Sequence, residues 1–375
     1  MLDVIVAGAG PAGSIAALVL ARAGVRVMLV DREAMPRDRM CGDLLNPGAV
    51  GLLQSLGLDP DARRGARRIP AMRVSGPFGS VDADYAPTHG VALPRRDLDA
   101  WLLDEALQAG ARFHTGDIVR RPLIDDSGPV SRVRGVVLLS RSTRAETRLP
   151  ANFVIAADGR RSILARQLGL HAAVSRSPRW GFGAHVSGVE GMSDASEIHV
   201  RHGWCLGLTP LADGHVSLWV SLPSRPAGRS PQDVIRRVLA RDRTLLGRLD
   251  RLRFDDGVGV SGPLLVRARL PGSPGLLLAG DAAGFVDPAT TDGLSLAIQG
   301  GRLAALEAMK TLDDGEFVGA VGRLADARHR ALGRKLQFDR WVHRCVTSPT
   351  AVDAASMGAR VFPGPFRFAV RYAGA

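Results

Sequence analysis

Leu2 to Ala7 is an apolar run of strand length, followed at once by a glycine cluster, a helical repeat of apolar positions at Ile15, Leu18, Val19 and Ala23, and a second run from Arg26 to Val30. Strand periodicity, helical periodicity and strand periodicity in that order predict a βαβ unit over residues 2–31. Beyond it the pattern predicts a short helix over 46–57 ending at Gly57, alternating strands through 71–93, and a helix from Arg96 to Ala109 stopped by Gly110. Strands return over 112–156 and close on the apolar run Phe153 to Ala157, and a helix over Ser162 to Leu168 stops at Gly169.

Between 175 and 265 the chain changes character, with alternating strands at 180–187, 195–200, 204–209 and 215–221 and a helix near 231–241. A strand from Leu276 to Ala279 then leads into a glycine-punctuated helix reaching about residue 309. Residues 317–345 read as an arginine-studded amphipathic helix, and Pro349, Pro363 and Pro365 break up the tail. No internal repeat or low-complexity segment interrupts this order.

A chain of 375 residues can bury two cores without disulfides or metal staples. Its three cysteines, Cys41, Cys205 and Cys345, are far apart, odd in number and form no CxxC pair, which argues against a disulfide framework or zinc site and for a reducing compartment. The longest apolar stretch, Ile15 to Val30, is interrupted by Arg22, Gly24 and Arg26 and falls short of the roughly 20 apolar residues of a membrane span. No leader precedes the first strand, so the expectation is a cytoplasmic protein without transmembrane helices.

The net charge of +12 raises the question of nucleic acid. The base is nearly all arginine, Lys310 and Lys335 being the only lysines, and reads as scattered along the chain, while aromatics make up only 5%. A nucleic-acid binder concentrates base on one face and interleaves stacking aromatics. The charge is therefore read as pointing to an anionic membrane surface or an acidic substrate.

The most specific motif is Gly8-Ala9-Gly10-Pro11-Ala12-Gly13, directly after a strand and opening a helix, with Asp31 and Arg32 at the end of the next strand. Gly8 permits the tight turn, Gly10 lets the backbone approach a pyrophosphate, and Gly13 lets helix and strand pack closely. The helix N-terminus then meets the anion, and Asp31 is placed to accept from ribose hydroxyls. Gly257 to Gly262 also matches GxGxxG, but it follows Asp255-Asp256 instead of an apolar strand and precedes Pro263, so it reads as a loop.

Three further segments decide between dinucleotides: Arg95-Arg96-Asp97-Leu98-Asp99, Ala157-Asp158-Gly159-Arg160-Arg161-Ser162, and Gly280-Asp281-Ala282-Ala283-Gly284-Phe285-Val286-Asp287-Pro288. With the first motif they resemble the FAD-dependent group that unites p-hydroxybenzoate hydroxylase-type monooxygenases with geranylgeranyl reductases. The resemblance implies that Asp281, after Gly280, holds the ribityl chain, and that a helix beginning near Asp292, Gly293 and Leu294, beyond Pro288, points at the flavin pyrimidine. It implies FAD contacts for Asp158 and Gly159, which can also assist nicotinamide binding, and for Arg95 near the ribityl-phosphate region. The expected fold is α/β: a Rossmann-like FAD-binding domain over 1–174 and 266–310, an inserted sheet-rich substrate domain over 175–265, and a C-terminal helical region over 311–375.

Met40-Cys41-Gly42-Asp43-Leu44-Leu45-Asn46-Pro47 resembles the loop of geranylgeranyl reductases, in which Cys-Gly-Gly lies beside the flavin. Cys41 and Gly42 match and Asp43 departs; Thr291 and Asp292 depart where the group has Gly-Glu. The resemblance implies a chemical role for Cys41, whose thiol could protonate a carbanion after hydride addition from flavin. Gly203-Trp204 to Thr209-Pro210 lacks the spacing of the halogenase tryptophan motif, and no lysine matches the halogenase catalytic lysine. His185, His199, His202 and His215 show no HExxH spacing and read as packing or surface residues; no metal site, Ser-His-Asp elbow or P-loop is visible.

The leading expectation is an FAD enzyme that reduces isoprenoid C=C bonds, with NAD(P)H as electron donor and a bulky apolar small molecule as substrate. The same motifs serve a monooxygenase that hydroxylates an aromatic or polyketide-like molecule, and fold resemblance cannot separate the two. A non-catalytic basic binding protein that kept the fold is the third reading. Peripheral membrane association through the 317–345 helix is a further expectation; oligomeric state is not legible.

Overall fold

In β1 (Leu2–Ala7) successive side chains enter different cores. Val4 and Val6 pack with Ile15 and Leu18 of α1 (Pro11–Arg22) and with Ile298 and Ala304 of the long helix Gly293–Asp314. Ile5 and Ala7 pack on the other side with Leu164 and Ala165 of the short helix Ile163–Gln167. A strand clothed by helices on both faces must be apolar throughout, which is why the sequence shows a run here and not an alternation.

The computed structural model describes residues 2–39, 42–172 and 179–375. Its first sheet has a parallel centre in the order Leu276–Leu278, Glu146–Ala156, β1, β2 (Val27–Asp31), Arg112–Thr115. The first half of the Glu146–Ala156 strand leaves that layer and pairs antiparallel with Arg132–Ser140, which pairs in turn with Asp117–Asp125. The late strand Leu276–Leu278 pairs parallel with Glu146–Ala156 in the same sheet, and the two-residue strand Gly272–Ser273 pairs antiparallel beyond it.

The second sheet runs Arg253–Phe254, Trp180–Ser187, Val216–Leu222, Trp204–Pro210, Ser196–Arg201, Ala71–Ser75, Ser80–Asp84. Its last two strands come from the 71–93 segment, so chain from both sides of residue 174 builds it. Three residues of the second GxGxxG match, Gly259–Ser261, are not loop but a short strand paired with Trp180–Ser187.

Phe182, Ala184, Leu206, Leu208, Leu218 and Val220 face the helix Pro231–Leu239 and form one core with its Val234, Ile235 and Val238. Strand alternation therefore turns Gly181, Gly183, His185, Cys205, Gly207, Ser217, Trp219 and Ser221 to the opposite face, toward the first sheet and its loops.

The C-terminal region is helical throughout, with helices at Phe317–Thr347, Pro349–Val361 and Pro363–Gly374. Pro349 and Pro363 do not break up the tail; each opens a helix at its first turn, where a missing N–H costs nothing. No helix among the described residues is long and apolar enough to cross a membrane.

Candidate active site

The turn between β1 and α1 is built by contact. Gly8 has φ +102° and donates its N–H to Val30 O at 2.7 Å, and a side chain there would run into Ala157 O. A side chain on Gly13 would overlap the Gly8 carbonyl, and one on Gly301, in the long helix Gly293–Asp314, would overlap Ala12 O. Gly10 is different: its space is open apart from Arg37 Nη2 at 3.7 Å, so the backbone there is accessible to a phosphate. Pro11 fills the first helical position and Ala12 is buried behind it.

Asp31 holds this turn from the side. One carboxylate oxygen accepts from Ala9 N (2.8 Å), the other from Glu33 N (3.0 Å) and Arg37 Nη1 (2.7 Å). Its first task is thus to fix the glycine turn, and a ribose hydroxyl would have to share oxygens already engaged. Arg32 does not face the turn; its side chain is 59% exposed and reaches Glu33 at 3.2 Å, because strand alternation turns it away from Asp31.

Three guanidinium groups converge beside Gly10 and Gly42. Arg37 is nearly buried against Asp31 and lies 3.9 Å from Asp99; Arg95 makes a two-pronged pair with Asp99 (2.8 and 2.9 Å) and lies 3.3 Å from where a Gly42 side chain would begin. Arg39 reaches Glu33 at 3.2 Å. Burial, followed by the charges of Arg37 and Arg95, holds the Arg39 guanidinium below its ordinary pKa despite Glu33. Like charges gathered at the mouth of a helix N-terminus fit a pyrophosphate. Buried Arg37 Nε and Asp158 Oδ1 have no partner among the described residues, a second sign of a polar ligand at this place.

Arg95 also acts on Asp281, which joins the cradle to the downstream motifs. Asp281 follows Gly280 at the strand end, and burial pushes its carboxyl up while Arg160 (3.8 Å) and Arg95 pull it down. Asp158, raised by burial, accepts from Ile163 N at 3.0 Å, and Gly159 turns the chain with φ +80°. Arg160 reaches Ser261 Oγ and lies over the Phe285 ring, so the Asp158-Gly159 segment, the Gly280 segment and the second sheet meet at one place.

Asp43, the departure from Cys-Gly-Gly, carries the seam between the sheets. Its buried carboxylate accepts from Arg95 N at 2.7 Å, from Ser217 Oγ, and from His185 Nε2 at 3.0 Å. One side chain thus caps the Arg95–Gln108 helix and pins the Gly42–Asn46 loop to two strands of the second sheet. The second seam is at Asp287, beside Pro288: Arg179 lies at 3.6 Å and donates to Ser221 Oγ at 2.9 Å, while His343 Nδ1 meets Asp287 at 2.8 Å.

The helix expected near 292–294 begins at Gly293. Asp292 does not point into the cradle. It is buried against Lys335 (3.2 Å), Asn46 Nδ2 (2.8 Å) and Asp339, because the C-terminal helices close over that loop. Leu294 is likewise core, so this segment can reach a ligand through its backbone at the helix start. Cys41, the expected chemical residue, lies outside the described residues. Cys205 is fully buried and its thiol is pushed up to about 12 by burial, which leaves it inert.

Arg37, Arg39 and Gly301 are site residues that the sequence reading missed. The available signal was the basic pair Arg37-Asp38-Arg39 immediately before the Cys41 loop; Gly301 had none beyond being one of two adjacent glycines in a helix.

The family model for an FAD binding domain matches residues 1–309. The chain is 32% identical over 382 residues to menaquinone reductase of Mycolicibacterium smegmatis, covering 95% of this chain and 89% of that protein. It is 31% identical over 351 residues to digeranylgeranylglycerophospholipid reductase 2 of Methanopyrus kandleri, covering 90% and 84%. Among solved structures, the flavin-dependent brominase Bmp2 superposes with a TM-score of 0.86 at 18% identity, covering 100% of this chain and 94% of that one. A geranylgeranyl bacteriochlorophyll reductase-like protein of Thermoplasma acidophilum gives 0.80 at 19% identity, covering 96% of each. At those identities the structures establish a shared fold, and the cradle around Gly10 fits the cofactor that the family model names. The chain belongs to the FAD-binding-domain family and is an FAD-dependent oxidoreductase.

Proposed function

We propose that the protein reduces carbon–carbon double bonds in the isoprenoid chain of a lipid substrate, and that NAD(P)H supplies the electrons through FAD. The observation that carries this reading is the seating of the reductase-type loop: Asp43 fastens Gly42–Asn46 between the guanidinium cradle and the inner face of the substrate sheet. Relatives named for menaquinone and for digeranylgeranylglycerophospholipid support a lipid of the isoprenoid class.

When bound, FAD supplies hydride transfer. Arg37, Arg39 and Arg95 would neutralise its pyrophosphate, Asp281 would accept from ribityl hydroxyls, and Asp158 would offer an oxygen that has no partner among the described residues. On the inner face of the second sheet Gly183 and Gly207 are buried, and a side chain on Gly207 would meet the Trp219 ring. Cys41, two positions before the anchored Asp43, is the proposed proton donor to the carbon adjoining the one that receives hydride.

Halogenation has no support in the side chains. Lys335 is spent on the carbonyls of Tyr372, Ala373 and Ala375 and on Asp292, and Lys310 is exposed on the long helix Gly293–Asp314. Mass spectrometry of an isoprenoid-lipid extract incubated with the chemically reduced protein under labelled oxygen tests the proposal. A product heavier by two hydrogens supports it; a product carrying the label makes this a monooxygenase and overturns it. Cys41→Ala should retain flavin and lose reduction, and wild-type turnover in that variant would remove the thiol role.

A further inference from the structure

We propose that the outer face of the last three helices, around Trp341, Met357, Val361, Phe362 and Phe368, docks the protein on an anionic lipid bilayer. The biological purpose of such docking rests on the lipid-substrate reading above, while the surface itself stands on independent observations.

The apolar side chains there are among the most exposed described ones. Phe362 and Phe368 are each 70% exposed, Val361 64% and Trp341 55%, and Met357 stands one turn before Val361 on the same helix face. They form a connected patch. Trp341 touches Phe338, Phe338 meets Tyr372 edge-on at 5.0 Å, and Tyr372 stacks with Phe368, linking Phe317–Thr347 to Pro363–Gly374. Half-exposed Phe78 joins them from the substrate sheet, where its N–H donates to Ser356 Oγ at 2.6 Å. Exposed aromatics cost solubility and contribute nothing to the fold, so a patch of this kind marks a binding surface.

Charge selects the partner. Residues 327–375 contain nine arginine and lysine side chains against two aspartates. Asp339 is buried, and Asp353 is taken by His202 at 2.7 Å. These residues therefore carry a net charge of +7 out of the chain's +12. Arg340, Arg344, Arg360 and Arg367 are exposed and have no acidic partner within ion-pair distance among the described residues. Aromatics that insert and arginines that meet headgroups are the composition of an interfacial helix surface. A second copy of this chain would bring two such cationic faces together and is disfavoured by repulsion.

This placement differs from the expectation that the 317–345 helix as a whole lies on the membrane. That helix buries Ala320, Leu324 and Leu332 against the body of the protein, and its last part, from Phe338, joins the exposed patch.

The test is co-sedimentation of the flavin-loaded protein with vesicles of phosphatidylcholine, with and without phosphatidylglycerol. Wild type should sediment with the anionic vesicles and be released by salt. Phe362→Ser/Phe368→Ser should raise the lipid needed for half-binding by about tenfold or more. Arg360→Gln/Arg367→Gln should weaken binding at low salt and flatten its salt dependence. No binding by wild type, both double variants binding like wild type, or a lipid-free dimer that the phenylalanine variant abolishes would each overturn the proposal. Turnover of a short-chain, detergent-free substrate should be the same in wild type and variants. If no protein reduces that substrate, the reductase reading fails while the vesicle result still decides the docking surface.

Discussion

His185 Nε2 lies 3.0 Å from Asp43 Oδ2, across the seam between the Gly42–Asn46 loop and the inner face of the second sheet. The Asp43 hydrogen bond comes first in raising the imidazole to about 9; burial opposes it and Asp256 adds to it. A raised imidazole contributes stability that is complete below its ordinary value of about 6.5 and disappears as pH climbs through about 9. The size is on the order of 2–3 kcal/mol for a group this enclosed. His185→Gln should therefore unfold at lower urea than wild type at pH 6, and the gap should close toward pH 10. A gap independent of pH would show that the pair acts as a neutral hydrogen bond.

Gly301→Ala should damage the cofactor site from a distance. Its new methyl would meet Ala12 O at the start of α1, which sets the helix end that faces the pyrophosphate. Relief requires the two helices to part, at a cost of about 1–3 kcal/mol. FAD affinity measured by quenching of flavin fluorescence should fall by about tenfold or more. Gly51→Ala, a helical glycine with open space around it, should leave affinity unchanged.

Arg39 offers a contrast between the two states of the cradle. Without an anion it is one of three crowded cations, depressed by burial and by Arg37 and Arg95. Arg39→Gln should leave the apo protein with an unchanged or higher Tm while weakening FAD binding and lowering its salt dependence. Equal loss of Tm and affinity would mean that the Arg39–Glu33 pair is structural and not part of an anion site.

Much of this was legible in the chain itself. Residues 2–31 carry the βαβ unit because both periodicities are local, and the strand boundaries at 180–187 and 204–210 follow from alternation over a single core. Asp43 was visible only as a departure, since its partners His185 and Ser217 stand 142 and 174 positions away. The same distance hid the recruitment of 71–75 and 80–84 into the substrate sheet. Prolines misled in the tail, because Pro after a capping Ser348 starts a helix as readily as Pro ends one.

The carboxyl pair Asp292 and Asp339 gives the last prediction. Both are raised by burial and sit against each other, with Lys335 pulling both down, Thr290 lowering Asp339 and Asp287 raising it. Asp292 Oδ2 and Asp339 Oδ1 lack partners among the described residues, as expected where two acids share a site built for fewer charges. The folded state therefore holds more protons than the unfolded chain just above the ordinary carboxylate range, and stability falls as pH rises from there. Asp339→Asn keeps the shape and removes one acid, leaving Asp292 charged beside Lys335. Its advantage over wild type in urea should be absent near pH 4 and grow toward pH 8, and Asp292→Asn should gain less because it strips Lys335 of its 3.2 Å partner. An Asp339→Asn protein less stable than wild type at pH 8 would mean that both carboxylates are ionised and are held by Lys335 together.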